Sequence, residues 1–123
     1  MTASPRELAQ ALLDAFMAKD KARILALFAA DGALIDPHYP QPVMQGKDAV
    51  AAGLDFGLGF IQQPCFTVRK AWQDDVSCVL EVDTFHTFVN GEQARFPQVF
   101  VFDFYGELIR RVQAYVPYPP PAP

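Results

Sequence analysis

The spacing of apolar positions changes once along this chain, from helical in the first half to alternating in the second. Leu8, Leu12, Ala15 and Phe16 recur at helical spacing. The preceding Ser4-Pro5-Arg6-Glu7 supplies a capping box with proline at the first helical position. Asp20 caps a second predicted helix whose stripe is Ile24, Leu27 and Phe28, and Gly32 falls where that helix should stop. Ala33-Leu34-Ile35 then reads as a strand ending at Asp36, followed by a turn stiffened by Pro37, Pro40 and Pro42. A carboxylate at that position is either a turn-former or a reagent held at the mouth of a pocket. From Gly46 to Phe60 the pattern predicts a third helix, weakened by Gly53, Gly57 and Gly59 at about 1 kcal/mol each relative to alanine.

From residue 65 the period is two, which predicts strands near 65–73, 77–89, 93–104 and 108–116, with turns at Asn90-Gly91-Glu92 and Tyr105-Gly106-Glu107. Helices first and antiparallel strands after indicate an α+β domain in which the helices pack on one face of a curved sheet. Residues 1–116 form a single predicted domain, and 117–123 read as an extended proline-rich C-terminal tail.

Composition narrows the function. The chain has 123 residues, enough for one well-cored domain, and its eleven Phe, four Tyr and one Trp exceed what a minimal core needs, so some are expected to line a cavity. A net charge of −4 without a basic cluster argues against nucleic acid and anionic membranes as partners. The N-terminus lacks a signal-peptide pattern and no apolar stretch is long enough to span a bilayer, so the expected location is cytoplasmic. Cys65 and Cys78 read as buried thiols, and no His/Asp/Glu set has metal-ligand spacing, so neither metal nor cofactor is expected.

The block from Leu12 to Gly46 with the following Lys-Asp-Ala-Val, and the closing "FVFDFYGELIRRVQAYV", resemble the nuclear transport factor 2-like superfamily. Within it they resemble the ketosteroid isomerase and SnoaL-like polyketide cyclase branch. The resemblance implies a cone-shaped α+β barrel, with three helices in a strongly curved, mainly antiparallel sheet around an internal pocket. It also implies a homodimer formed through the sheet. Asp36 in "IDP" matches the branch's general base, an aspartate that moves a proton between carbons beside a carbonyl. Of the branch's two oxyanion donors, the tyrosine position falls on Leu12 and the acid position on Gln98, whose amide can still donate.

Alternation on the strands extends this set. With Gln98 inward, Phe96, Phe100 and Phe102 also face the pocket, and the same register puts Arg111, Gln113 and Tyr115 inward on the last strand. Val99, Val101, Arg110 and Val112 then face outward. His38 in the turn, Tyr39, Trp72 and His86 are further candidates for the pocket wall, each with plain packing or exposure as the alternative, while Glu81 and Asp83 fall on the outer face. A buried Arg111 needs a partner, either Asp36, which would make that carboxylate a poor base, or a ligand carboxylate, which would make the substrate a small organic acid.

These residues predict a cofactor-independent proton-transfer enzyme acting on a small, largely apolar carbonyl compound. Asp36 is the acid/base, Gln98 and Tyr115 polarise the carbonyl, and Arg111 orients the substrate. The same parts fit a hydrolase that activates water against an epoxide or lactone, or a protein that only binds a small molecule. A third reading, a protein-interaction module, would need an exposed apolar patch on the sheet.

Overall fold

The structure is a computed structural model that describes residues 2–117. The proposed tail, apart from Pro117, lies outside the described residues. Three helices, α1 (Pro5–Met17), α2 (Lys21–Ala26) and α3 (Lys47–Phe60), pack against a seven-stranded sheet. The strands are β1 (Phe28–Ile35), β2 (Val43–Gln45), β3 (Ile61–Gln63), β4 (Phe66–Gln73), β5 (Ser77–Phe88), β6 (Gln93–Tyr105) and β7 (Leu108–Tyr115). They lie in the order β2-β1-β7-β6-β5-β3, with β4 also paired to β5. Every pairing is antiparallel except that of β1 with β7, which is parallel. The strongly curled mixed sheet forms a half-barrel around the helices, the cone-shaped α+β fold expected of the superfamily.

Local chemistry explains where α1 begins. Ser4 Oγ accepts from the Glu7 N–H and the Glu7 carboxylate accepts from the Ser4 N–H, closing the capping box. Leu8, Ala9, Leu12, Leu13 and Ala15 then face the sheet and are buried. Asp20 caps α2 through the Arg23 N–H, but that helix ends at Ala26. Leu27 and Phe28 therefore do not extend its stripe. Phe28 opens β1, which runs straight through Gly32 instead of starting after it. Gly32 is there because β1 and β7 approach closely: a Cβ would lie 2.6 Å from the Ile109 carbonyl oxygen.

Four register shifts bend the sheet, and the one between β6 and β7 matters most. Phe104 pairs with Ile109 but Asp103 pairs with Arg111, so Arg110 is an extra residue in β7. Counting by twos from buried Ile109 would reach Arg111, Gln113 and Tyr115. The bulge instead turns Val112 and Ala114 inward, opposite Phe102 and Phe100. Arg111, Gln113 and Tyr115 therefore lie on the outer face, contrary to the sequence expectation, and Val112 is fully buried and not outward. Along β5 and β6 the alternation is unbroken, with Cys78, Leu80, Val82, Thr84, His86 and Phe88 inward against Ala94, Phe96, Gln98, Phe100, Phe102 and Phe104.

The main core fills the narrow end, where Phe28, Leu54, Leu80, Phe102, Ile109 and Val112 meet α1 and α3. No helix among the described residues is long and apolar enough to cross a membrane.

Candidate active site

Toward the wide end the core gives way to a cavity of about 280 Å³. Seven phenylalanines line it: Phe16 from α1, Phe56 and Phe60 from α3, Phe66 from β4, Phe88 from β5, and Phe96 and Phe100 from β6. Leu12, Leu13, Leu34, Leu58, Val112 and Val116 extend this apolar lining. Its polar side chains are Asp36, His38, Tyr39, His86 and Gln98, and no lysine or arginine is among the lining residues. A mostly apolar chamber with a few convergent polar groups is the usual form of a small-molecule site.

Asp36 follows the last residue of β1 and is held from three sides. Its N–H donates to the Pro42 carbonyl at 2.9 Å, and its own carbonyl accepts from the Tyr39 N–H at 3.1 Å. Its Oδ1 accepts from the His38 N–H at 2.9 Å. The carboxylate thus closes a local turn and also lines the cavity. Burial pushes its pKa up, offset in part by the His38 N–H and the charge of the His38 ring. Among the described residues no lysine or arginine forms an ion pair with it. The alternative in which Arg111 locks Asp36 is thereby excluded: Arg111 lies on the other side of the sheet, where its Nη2 donates to Gln113 Oε1.

The residues after Asp36 shape the mouth. His38 packs edge-on against Phe96, with ring centroids 5.7 Å apart, and its Nε2–H donates to the Pro117 carbonyl at 2.7 Å. Tyr39 lies against α3, where a Cβ at Gly57 would stand 2.5 Å from its hydroxyl oxygen. The glycine that weakens α3 is therefore what lets this ring sit flush with the helix. Burial, with the nearby Asp36 charge, pushes the Tyr39 hydroxyl pKa well up, so it remains a neutral donor.

On the sheet wall, Gln98 donates through Nε2 to Thr84 Oγ1 at 2.6 Å, fixing its amide from the inner face of β5. His86 stands among Phe66, Phe88 and Phe96, at centroid distances of 5.3, 6.5 and 5.9 Å. Its Nδ1 accepts from the Cys65 N–H at 3.4 Å. Burial, helped by the His38 charge, depresses its pKa to about 4, so it is neutral near pH 7.

The structure thus places Asp36, His38, Tyr39, His86, Gln98 and Phe100 together around one cavity. It does not bring the other sequence candidates there. Arg111, Gln113 and Tyr115 are on the outer face because of the β7 bulge, and Trp72 is 53% exposed on β4. Phe102 faces inward but is wholly buried in the core below the cavity. Thr84, which orients Gln98, is absent from the sequence candidates, although its alternation with His86 on β5 carries that signal. Cys65 and Cys78 are both free, with Cys65 only half-buried just before β4. No grouping of three or more His, Cys, Asp or Glu among the described residues could hold a metal ion.

Comparison with known proteins agrees with this fold. A delta 5-3-ketosteroid isomerase from Mycobacterium sp. superposes with a TM-score of 0.82 at 24% identity, over 92% of this chain and 93% of the other. A Mycobacterium tuberculosis protein in complex with estradiol-17β-hemisuccinate gives 0.84 at 21% identity, over 94% and 96%. A protein of ketosteroid isomerase-like fold from Catenulispora acidiphila, in complex with trimethylamine, gives 0.79 at 22%, over 92% and 86%. Likeness at these identities describes the fold. No curated protein matches the chain. The model of the SnoaL-like domain matches residues 9–112, nearly the whole described fold, and the chain therefore belongs to the SnoaL-like domain family of the nuclear transport factor 2-like superfamily.

Proposed function

We propose that this protein is a cofactor-independent proton-transfer enzyme of the isomerase or cyclase type, acting on a small, largely apolar carbonyl compound. One observation carries the reading. Asp36 is the only carboxylate among the lining residues, no lysine or arginine among the described residues pairs with it, and burial raises its pKa toward the range in which a carboxylate can both take and return a proton. One oxygen is fixed by the His38 N–H, which aims the group. In the reaction Asp36 removes a proton adjacent to the carbonyl, the C–H electron pair passes into an enolate, and the protonated acid delivers the proton to another carbon. Polar donors on the sheet wall of the cavity stabilise the enolate oxygen.

The absence of lysine and arginine from the cavity lining disfavours an organic-acid substrate, because a carboxylate there would meet the Asp36 carboxylate with no lysine or arginine to pair it. The outer face, with Val99 and Val101 beside exposed Tyr115, suits a homodimer contact, and we read the protein as a cytoplasmic homodimer.

A second reading, ligand binding without turnover, is favoured by the Gln98 amide, which is already engaged by Thr84. Carbon-detected NMR titration of the Asp36 carboxyl, assigned with Asp36→Asn, separates the two. A value above the model-peptide level of about 3.9 is expected for the enzyme. A value below it would remove Asp36 as a base and leave the binding reading.

A further inference from the structure

The sheet wall of the cavity carries a group that Asp36 and Gln98 do not account for. We infer that His86 is the principal oxyanion-holding residue of this site, a neutral imidazole whose Nε2–H receives the enolate oxygen formed when Asp36 deprotonates an uncharged planar ketone. This rests on the proton-transfer reading above and adds a catalytic residue and a substrate class to it.

Three observations fix the imidazole. Its Nδ1 accepts from a backbone N–H, that of Cys65, and a backbone N–H can only donate, so the proton of the neutral ring resides on Nε2. Nε2 has no partner among the described residues, yet no buried polar side-chain atom among them lacks one, so Nε2 is open to the cavity. Edge-on contacts with Phe66, Phe88 and Phe96 clamp the ring plane, so no reorientation is needed as charge develops. The ionisable groups around this cavity are Asp36, His38 and Tyr39, with the Cys65 backbone in contact behind the ring. The depressed basicity of His86 keeps its donor tautomer neutral across the working range, which leaves a single negative charge moving between Asp36 and the ketone oxygen.

The step balances without a co-reactant. The α C–H bond breaks and its proton goes to Asp36. The electron pair delocalises onto the ketone oxygen, which gains a hydrogen bond from Nε2–H and a second from the remaining N–H of Gln98. Return of the proton from Asp36 to carbon completes the cycle. The phenyl walls and the cavity of about 280 Å³ select a flat, uncharged ring ketone.

The test is hydrogen–deuterium exchange at the α carbon of 2-tetralone in D2O, followed by NMR, for the full chain and its variants. His86→Phe, which fits the same aromatic surroundings, is expected to slow exchange by about 10²–10³-fold, the usual loss for one oxyanion donor. His86→Gln, which retains an N–H, should recover part of it, and Asp36→Asn should abolish it. Wild-type rate in His86→Phe, or no difference between Phe and Gln at position 86, overturns the assignment while leaving Asp36 as base. A parallel titration with 4-nitrophenol in the Asp36→Asn background reads the bound phenolate by its absorbance, independently of turnover. Phenolate enrichment that is lost with His86→Phe supports the oxyanion site even if wild-type protein exchanges nothing, an outcome that would sink only the proton-transfer reading. Absence of both exchange and phenolate enrichment overturns both.

Discussion

Replacing His86 by Phe should flatten the acid side of this protein's stability curve. The imidazole is 6% exposed and its pKa falls from 6.5 to about 4 on folding. The unfolded chain therefore takes up a proton before the folded one does, and the stabilisation held by the neutral ring is complete above pH 6.5 and is lost as pH falls toward 4. At about 1.4 kcal/mol per pH unit the full difference is about 3.4 kcal/mol. About 2 kcal/mol of it is gone by pH 5. That is a large part of the 5–15 kcal/mol that holds a domain of this size together. Urea denaturation at pH 7.5, 6, 5 and 4.5 measures it, since a change of about 2 kcal/mol moves the midpoint by about 1 M. Asp36 titrates with the opposite sign and is present in both proteins, so the difference between wild type and His86→Phe isolates the imidazole. Parallel pH curves for the two proteins would refute the claim that this ring is buried neutral.

Three further outcomes follow from the same geometry. Because the Asp36 pKa is raised on folding, its stabilising contribution is present below about pH 3.9 and is lost as pH rises through the folded value. Asp36→Asn should therefore unfold at higher urea than wild type at pH 7 and not at pH 3. Gly57→Ala drives a methyl into the Tyr39 ring and should cost about 1–3 kcal/mol in denaturant melts, and the same change made in a Tyr39→Ala background should cost little. Arg111→Ala, on the outer face, should leave 2-tetralone exchange unchanged and stability within about 0.5 kcal/mol; a large loss of exchange would return Arg111 to the site.

What could be read from the chain divides along a physical line. Local signals worked where neighbours in sequence decide the outcome: the capping box at Ser4 and Glu7, the turn after Asp36, and the alternation of β5 and β6. They failed where a distant partner decides. Leu27 and Phe28 continue a helical stripe on paper, but pairing with β7 draws Phe28 into a strand. The orientation of Arg111, Gln113 and Tyr115 turned on a single extra residue at Arg110, and nothing in the composition of β7 announces a bulge. His86 was found by alternation, but its tautomer depends on a backbone N–H 21 residues away in sequence.

The parallel pairing of β1 with β7 also bears on how this protein comes into being. β1, which leads directly into Asp36, shares its ladder with β7, the last strand among the described residues, Ile35 lying opposite Gln113. During synthesis the residues up to β6 emerge with that edge bare, and among the described residues only β7 closes it. Asp36 thus takes its place beside a completed ladder only once β7 has docked, and a nascent chain interrupted before β7 carries Asp36 beside an open strand edge exposed to aggregation.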